Sequence, residues 1–512
     1  MTIRNFTTFL SFIVLLMLFY NCSDEQKPTQ IDRGKLLAEL RCSSCHEFPK
    51  PGLLPKATWQ DYILPRMGYM LGIYEKDSER KDLFEEGPAK ETVEASGLFP
   101  ETPQIAPKDW AAIQAYYLEV APTQLPHVDT LEIIQDLPQF TVEIPETQLS
   151  PPSTTMVSIR PNTGGLILGD ANTQSMYLFD KNLQLEKTAK TREGAVQVQE
   201  FANSFVLTVM GSFSPTDAPS GLVFALPKQN DIPPKLLIEG LQRPVHNTIA
   251  DLNQDQQPEF IISEFGKWTG RLAYWSLDAQ GLYQVTLLKQ QAGATRSIVY
   301  DLNQDGKDDI VTLFGQGAEG IYAFYQQADG TFREDTLLTF PATYGSSYFD
   351  LLDLDADGDM DIVYTNGDNA DYPPVLKSYH GIRYYTNDGD NRFTESFFYP
   401  LPGAYKAITR DFDGDGYVDI AAISFFPDFE NQAEQSFIFL ENQGNDNYQA
   451  RTFPEVNKGR WITMDAGDID LDGDLDLVLG ALTFEVVPEM GLVKQWTQDG
   501  IPFLVLKNNA IR

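Results

Sequence analysis

An aspartate-rich segment recurs along the C-terminal half of this chain, and its spacing constrains the possible fold more than any other feature. The copies begin at residues 251, 301, 353, 411 and 468, so successive copies lie 50, 52, 58 and 57 residues apart. A period of this length indicates repeated supersecondary units, such as the blades of a propeller. Four copies are intact and the fifth has lost its glycine: Asp301-Leu-Asn-Gln-Asp-Gly-Lys-Asp-Asp309, Asp353-Leu-Asp-Ala-Asp-Gly-Asp-Met-Asp361, Asp411-Phe-Asp-Gly-Asp-Gly-Tyr-Val-Asp419, Asp468-Ile-Asp-Leu-Asp-Gly-Asp-Leu-Asp476 and Asp251-Leu-Asn-Gln-Asp-Gln-Gln-Pro-Glu259.

The side chains of this segment have the chemistry of a calcium site. Oxygen ligands at positions 1, 3, 5 and 9 suit a hard cation, and a glycine at position 6 allows the sharp turn between them. An Asp-rich turn without metal is the alternative, but four clustered carboxylates would repel one another. We expect about four or five Ca²⁺ ions. The expected ligands are Asp301, Asn303, Asp305, Asp309, Asp353, Asp355, Asp357, Asp361, Asp411, Asp413, Asp415, Asp419, Asp468, Asp470, Asp472 and Asp476, with Asp251, Asn253, Asp255 and Glu259 as a weaker set.

An EF-hand does not explain these segments. It requires a glutamate at position 12 and flanking helices. Position 12 is Thr312, Tyr364, Ala422 or Leu479 in the intact copies. Each loop also runs directly into a strand-like stretch, such as 361–364 or 476–479.

The number of blades follows from the repeats and from two further units upstream of them. Strand-like segments at 156–159, 166–169 and 176–179, and again at 195–198, 205–209 and 222–225, indicate two blades without the loop. With the five repeats they make about seven. The last blade lacks an outer strand, and residues 138–146 could supply it, which would remove an exposed sheet edge.

The pattern downstream of the loops carries a family resemblance. An aromatic strand is followed by a turn at 323–325 and 329–332, at 383–385 and 387–393, and at 437–440 and 442–444. Together with the loops, these units resemble the FG-GAP repeats, also described as VCBS repeats, of integrin-like β-propellers. The resemblance implies an all-β, seven-bladed propeller with Asp-rich calcium loops.

A second signal lies near the N-terminus, in Cys42-Ser-Ser-Cys45-His46. Two thiols at this spacing can bond the two vinyl groups of a haem, and the histidine is then the proximal iron ligand. A local disulfide or half of a zinc site is the alternative. Zinc would need two more ligands nearby, and the next histidine is His127. The motif therefore favours one covalent haem c.

The residues around this motif predict a small all-α domain at 31–122. Helices are expected at 32–41, with Leu36, Leu37 and Leu40 on one side, at 58–71 with Thr58 as N-cap, and at 107–120. This plan resembles a monohaem class of cytochrome c. The resemblance implies a second axial ligand.

Two methionines of the predicted domain, Met67 and Met70, can provide that ligand. They lie three residues apart and share one helix face. We favour Met67, with Met70 or an open site as the alternatives. Thioether ligation raises the reduction potential, which suits an electron carrier.

The N-terminal segment predicts export. Arg4 and an apolar run at 9–20 precede Cys22, and the run has the length of a signal-peptide core. The segment resembles a bacterial lipoprotein signal with Cys22 as the acylated residue; an uncleaved anchor is the alternative. We expect a membrane-anchored lipoprotein facing the periplasm or the cell surface, attached by lipid rather than by a spanning helix. The expected segments are a signal at 1–22, linkers at 23–30 and 123–137, the haem domain at 31–122 and the propeller at 138–512.

Composition and the remaining motifs limit the function. A net charge of −35, from 73 acidic and 38 basic residues, argues against nucleic-acid binding. No catalytic carboxylate pair stands outside the metal loops, so no catalytic residue is assigned. His246 follows Arg243-Pro-Val, which recurs in part at Arg296-Ser-Ile. A pair that lines the propeller funnel is one interpretation, and ordinary structural roles for His246 and His380 are the favoured one.

The favoured function is electron transfer. We expect an envelope-tethered c-type cytochrome that exchanges electrons with a redox partner protein, with the calcium-binding propeller as a docking or recognition scaffold. An electron carrier is favoured over a catalyst with its own substrate. The alternatives are a propeller-based redox enzyme that passes electrons to the haem, and an integrin-like adhesion or ligand-binding protein.

Overall fold

The structure is a computed structural model that describes residues 29–127, 132–229, 231–370, 374–444, 447–484, 488 and 490–510. The expected signal segment with Cys22 lies outside the described residues. Within the described ranges, no helix is both long enough and apolar enough to span a bilayer.

The N-terminal region of the described chain is helical. A capping box starts the first helix, because Thr29 accepts from the Asp32 N–H while the Asp32 carboxylate accepts from the Thr29 N–H. A π-helical turn, Trp59–Ile63, joins the second and third helices without a break. The helices are α1 Gln30–Cys42, α2 Lys56–Thr58, α3 Leu64–Met70, α4 Asp77–Asp82, α5 Pro88–Ser96 and α6 Pro107–Val120, with a 3₁₀ turn at Pro51–Leu53.

The helices expected at 32–41 and 107–120 are present, whereas the expectation for 58–71 was wrong at its start. The helical stretch begins after Pro55, whose backbone is extended, so Thr58 lies inside the helix and is buried rather than serving as N-cap. Helices α4 and α5 were not expected.

The face of α1 that packs is also different from the expected one. Gly34 and Ala38 are buried, and a Cβ on Gly34 would lie 2.1 Å from the carbonyl oxygen of Ala112 in α6. Leu36 and Leu40 are 66% and 67% exposed. The two helices cross so closely that only small residues fit between them, and the leucines therefore point away from the contact.

Buried aromatic side chains fix the chain that follows the CxxCH segment. Trp59 and Tyr117 are fully buried, with ring centroids 4.5 Å apart. The Trp59 indole N–H donates to the Pro51 carbonyl at 2.8 Å, and the Tyr117 hydroxyl donates to the Pro49 carbonyl at 2.8 Å. This core holds residues 49–51 against the π-helical turn and α6.

The rest of the described chain forms a seven-bladed β-propeller, as expected. Each blade is an antiparallel four-stranded sheet. The blades, from inner to outer strand, are: β2 Thr154–Ile159, β3 Leu166–Asp170, β4 Ser175–Phe179, β5 Leu185–Lys190; β6 Ala195–Glu200, β7 Ser204–Val209, β8 Gly221–Pro227, β9 Lys235–Leu241; β10 Pro244–Ala250, β11 Glu259–Glu264, β12 Arg271–Leu277, β13 Tyr283–Lys289; β14 Ala294–Tyr300, β15 Asp309–Phe314, β16 Gly320–Gln326, β17 Phe332–Thr339; β18 Ser346–Leu352, β19 Asp361–Asn366, β20 Gly381–Asn387, β21 Phe393–Pro400; β22 Ala404–Arg410, β23 Asp419–Ser424, β24 Phe437–Asn442, β25 Tyr448–Arg451; and β26 Trp461–Gly467, β27 Asp476–Ala481, β28 Phe503–Asn508, β1 Phe140–Glu143. The linking segments hold two 3₁₀ turns, Ala433–Ser436 and Val456–Lys458, and a last helix, α7 Leu492–Asp499.

Strands from both ends of the propeller complete one blade. β1 pairs antiparallel with β28, placing Phe140 opposite Asn508 and Glu143 opposite Val505. Inner strand β26 packs against inner strand β2 of the first blade, which closes the ring. The outer edge of the last blade is thereby covered by the strand that precedes the first blade.

The segment expected to be a linker, 123–137, packs on the propeller over its last residues. The Ile134 N–H donates to the Ala450 carbonyl at 3.0 Å, and the Thr452 N–H donates to the Ile134 carbonyl at 2.9 Å. Leu137 is buried in the core between blades 6 and 7. Apolar side chains at these positions draw the segment onto the sheet, so it is not a free linker there.

The helical region contacts the propeller face opposite to the Asp-rich loops. The Asp-rich loops join the first and second strands of a blade. The helical region instead contacts loops that join second and third strands, and the propeller face that carries these loops is called the upper face. The Tyr379 hydroxyl donates to the Leu53 carbonyl at 3.0 Å, Lys267 Nζ lies 2.8 Å from Glu85 Oε1, and the Trp268 ring meets Phe99 edge-on at 5.2 Å.

Candidate haem and calcium sites

The two cysteines of the CxxCH segment lie where α1 ends. Cys42 is the last residue of the helix and is half-buried, and Cys45 is exposed in the following turn. Both thiols are free, so the local disulfide is not formed. Burial raises the pKa of the Cys42 thiol, despite a hydrogen bond to Tyr117. Both sulfurs are available for thioether bonds.

The histidine of the segment is oriented by its own backbone. His46 Nδ1 lies 2.8 Å from the Glu47 carbonyl oxygen, to which only a protonated Nδ1 can donate. This bond fixes the tautomer and leaves Nε2 as the nitrogen able to bind a metal. The imidazole is half-buried.

The two methionines on α3 differ in their surroundings. Met67 is half-buried and packs against the same hydrophobic core as Cys42 and Phe48. Met70 is 40% exposed. Met67 is therefore the less exposed of the two methionines and packs against the same core as Cys42.

These residues fit a covalent haem by their chemistry. They offer two free thiols, an imidazole whose Nδ1 is already hydrogen-bonded, and a thioether next to the same apolar core, which is the donor set of a His/Met haem. A cleft of about 240 Å³ opens directly after His46, between Glu47, Phe48 and Lys50 on one side and Phe340 and Tyr344 of the propeller on the other. The propeller therefore forms one wall beside the CxxCH segment.

The Asp-rich loops are built around the carboxylate at position 1. In all five copies the backbone N–H of position 6 donates to this carboxylate, at 2.8 to 3.2 Å. The glycines at position 6 have φ between +86° and +104°. The left-handed backbone explains why four of the five copies keep glycine there.

The carboxylate at position 9 is a structural clamp in each intact loop. It accepts the N–H of position 2 at 2.8 to 3.2 Å and, at 2.8 Å, a backbone N–H from the end of the third strand. The clamped third-strand residues are Gln326, Asn387, Asn442 and Asn508. Their amide side chains tie neighbouring segments. Asn508 Nδ2 in blade 7, for example, donates to the Phe412 carbonyl of blade 6 at 2.7 Å.

Three of the loops bring carboxylates together. Ligand oxygens lie within 4.8 Å of one another in three groups: Asp353, Asp355 and Asp357; Asp411, Asp413 and Asp419; and Asp468, Asp470 and Asp476. Burial raises the pKa of Asp419 and of Asp476 to about 7, and the neighbouring loop carboxylates add to the shift. Crowded carboxylates of this kind suit a divalent cation with oxygen ligands.

In the loops that start at Asp301 and Asp251, described carboxylates have other partners. Lys307 Nζ lies 3.1 Å from Asp305 Oδ2, so an ammonium group occupies one side of the Asp301 loop. In the degenerate copy, the Glu259 carboxylate accepts from the Leu252 N–H at 2.8 Å and from Asn253 Nδ2 at 3.1 Å. In neither loop do three described carboxylates converge within 4.8 Å.

The left-handed backbone conformation at position 4 of the loops was not predicted from the sequence. Gln254, Gln304, Ala356 and Leu471 have φ between +57° and +65°, and Gly414 takes the same conformation with φ +75°. The single glycine at this position, Gly414, was the only available signal. Left-handed backbone at ordinary residues is strained, and the hydrogen bonds to position 1 hold it in place.

The inner strands of the propeller bring His246 together with Arg296, the first residue of the related motif, whereas His380 is buried just before β20. His246 Nε2 lies 3.5 Å from Arg296 Nη1, on neighbouring inner strands. Burial, together with the positive charges of Arg296 and Lys406, lowers the pKa of His246 well below its usual range. Arg296 also lies 3.5 Å from Asp350 and stacks over the Tyr348 ring. The pair belongs to a polar network along the inner strands.

Comparison with known families supports the repeats. Residues 301–364 and 411–479, about a quarter of the chain, match the FG-GAP-like repeat. No curated protein matches the chain.

Among solved structures, the N-terminal domain of Nup159 has TM-score 0.44 and 9% identity, over 74% of this chain and 97% of that one. Sqt1 of Saccharomyces cerevisiae has TM-score 0.43 and 10% identity, over 71% and 97%. A putative 6-phosphogluconolactonase of Bacteroides fragilis has TM-score 0.38 and 14% identity, over 58% and 82%. Likenesses at this level carry no weight for function. The matched residues and the sheet topology together identify a seven-bladed β-propeller that contains FG-GAP repeats.

Proposed function

We propose that the protein is an envelope-tethered c-type cytochrome whose propeller serves as a docking or recognition scaffold. One haem is bonded to Cys42 and Cys45, with His46 as proximal ligand and Met67 as distal ligand. The haem supplies one-electron chemistry when bound. Electrons pass to and from a redox partner protein.

One observation carries this proposal. Two free thiols at CxxCH spacing stand at the end of a helix, followed at once by an imidazole whose Nδ1 is engaged by the Glu47 carbonyl. A zinc site is disfavoured, since in the described chain no group of three or more metal-binding side chains includes these residues. The motif and the packing of Met67 against the same core as Cys42 together support a haem.

The contact between the helical region and the upper face supports a scaffold role for the propeller. Leu53, seven residues after His46, accepts from Tyr379, and Glu85 is bound by Lys267 and by Thr216. These contacts hold the helical region against blades 2, 3 and 5. A rigid platform of this kind would present the haem in one orientation to a partner.

Calcium in the loops of the opposite face forms the second part of the proposal. The loops starting at Asp353, Asp411 and Asp468 are the strongest candidates, because their carboxylates converge. The loops starting at Asp301 and Asp251 stay predictions. A cation there would offset the repulsion between carboxylates and stiffen the blade ends.

The tether is proposed from the sequence. Cys22 after an apolar run is the proposed acylation site, and it would place the protein on a membrane facing the periplasm or the cell surface.

The test is expression together with a haem-maturation system. Wild-type protein should show haem-dependent peroxidase staining after denaturing electrophoresis, and Cys42→Ala with Cys45→Ala should abolish it. Ser43→Ala, inside the same motif, is the matched control and should keep the stain. An unstained wild-type band would contradict the proposal.

A further inference from the structure

The outer strand of blade 3, β13, ends its sheet with an open edge. Within the described ranges of the chain, β12 is the only strand that pairs with β13. The two strands pair residue by residue over 283–287, and the register shifts after Leu287. An open edge of this kind offers a row of backbone N–H and C=O groups to another strand.

Charged residues, which usually protect an open edge, are missing from the regularly paired part of β13. Lys289 is the only charged residue of the strand. It lies beyond the register shift, and its ammonium group contacts the Glu334 carboxylate of blade 4. The five residues before the shift are uncharged: Tyr283-Gln-Val-Thr-Leu287.

The other six outer strands are protected by charge or by cover. β25 has no acidic residue, but the segment before β1 covers it, and the Ile134 N–H donates to the Ala450 carbonyl at 3.0 Å. The remaining five carry acidic residues: Glu186 in β5, Glu239 in β9, Glu334 and Asp335 in β17, Glu395 in β21 and Glu143 in β1. Among the outer strands that the structure describes, β13 alone is neither acidic nor covered.

Exposed apolar side chains lie beside this open edge. Val285 and Leu287 are 49% and 51% exposed. Since side chains alternate along a strand, they share one face of the blade with Tyr283, whose ring packs against Phe260 with the ring centroids 5.1 Å apart. An uncharged edge with exposed apolar side chains is a template for pairing with another chain.

We propose that β13 pairs with β13 of a second copy of this chain. The antiparallel two-fold register centred on Val285 is the one that uses all five regularly paired residues. It places Val285 opposite Val285 of the other copy, Tyr283 opposite Leu287, and Gln284 opposite Thr286. Apolar pairs then lie on one face of the joined sheet and hydrogen-bonding pairs on the other, and pairs of both kinds stabilise antiparallel strands.

The charge of the chain favours this edge for contact between two copies. With a net charge of −35, two copies repel one another in most orientations. The β13 edge allows them to meet without bringing carboxylates of the paired strands together. Two-fold symmetry also closes the assembly at two copies, so the contact leads to a dimer rather than to a fibre. The pairing requires neither haem nor calcium, and it is independent of the proposed function.

Disulfide cross-linking of the full chain tests the register. In the proposed dimer the Cα atoms of the two Val285 residues lie about 4.5 to 5.5 Å apart, which a disulfide can span. Val285→Cys should therefore give a product of twice the chain mass on a non-reducing gel after mild oxidation. The two Leu287 residues lie about 14 Å apart along the strands, so Leu287→Cys is the matched control and should stay monomeric. Wild-type protein, with its three native cysteines, sets the background.

A charge on the same face tests the contact itself. Leu287→Lys, added to Val285→Cys, should reduce the cross-linked product at least tenfold, because a lysine on an edge strand opposes pairing. Leu236→Lys is the matched control: Leu236 is 49% exposed but lies on β9, outside the proposed contact, so the product should be unchanged. In sedimentation velocity, wild-type protein should be a dimer that Leu287→Lys converts to a monomer.

Several outcomes would overturn the inference. They are a monomeric wild-type protein in sedimentation, equal cross-linking by Val285→Cys and Leu287→Cys, and a cross-linked product that persists when Leu287→Lys is added. A product whose mass differs from twice that of the chain would assign the edge to a different protein and would also overturn the pairing of two copies. Sedimentation of wild-type protein keeps the test valid if a variant does not fold.

Discussion

A buried glutamate in blade 4 leads to a quantitative prediction for stability against pH. Glu319 is 3% exposed, and burial raises its pKa from 4.5 to about 7, against the hydrogen bonds from Ser346 and Gly345 and the charge of Lys377. A carboxyl group with a raised pKa in the folded state binds its proton more tightly there than in the unfolded chain. Its contribution to stability is therefore complete below pH 4.5 and is lost as the pH rises through about 7.

The size of the effect follows from the shift. A difference of about 2.5 pKa units corresponds to about 3 kcal/mol in the free energy of unfolding between pH 4 and pH 8. Glu319→Gln mimics the protonated acid and removes the titration. The free energy of unfolding of the variant, measured relative to that of wild type, should therefore rise by about 3 kcal/mol from pH 4 to pH 8.

The assay is denaturant unfolding of both proteins at several pH values between 4 and 8. Glu85→Gln is a control of opposite sign: despite partial burial, hydrogen bonds from Lys267 and Thr216 lower the pKa of Glu85, so that its contribution is lost as the pH falls. If the difference between Glu319→Gln and wild type stayed constant over this range, the reasoning about burial would be refuted.

Three further predictions test other parts of the molecule. Gly34→Val should destabilise the helical region by about 2 kcal/mol or more, because a Cβ would lie 2.1 Å from the Ala112 carbonyl; an unchanged thermal melt would contradict the close crossing of α1 and α6. Calcium should raise the melting temperature and a chelator should lower it, and Asp468→Asn should remove one site in calorimetric titration; equal stoichiometry would exclude that loop. Met67→Leu should change the absorption spectrum of the reduced haem protein and Met70→Leu should not, with the reverse result assigning the ligand to Met70.

The regular repeats made much of the fold predictable from the sequence. The Asp-rich segments fall between first and second strands because each carries its own turn chemistry, so the blades could be placed from local patterns alone. The outer strand β1 could be anticipated because the last blade lacked one. These inferences needed no knowledge of distant contacts.

Features that depend on distant contacts could not be predicted in this way. The packing face of α1 is set by Ala112 in α6, so the exposed leucines of α1 gave a false signal. The left-handed conformation of Leu471 has no signature in the residue itself.

The most direct test of the proposed function is mass spectrometry of the tryptic peptide that begins at Cys42, from protein made with a haem-maturation system. We expect this peptide to carry the mass of one haem, joined to both Cys42 and Cys45, and to lose it in the double alanine variant. An unmodified peptide from wild-type protein under these conditions would contradict the proposal that this chain is a c-type cytochrome.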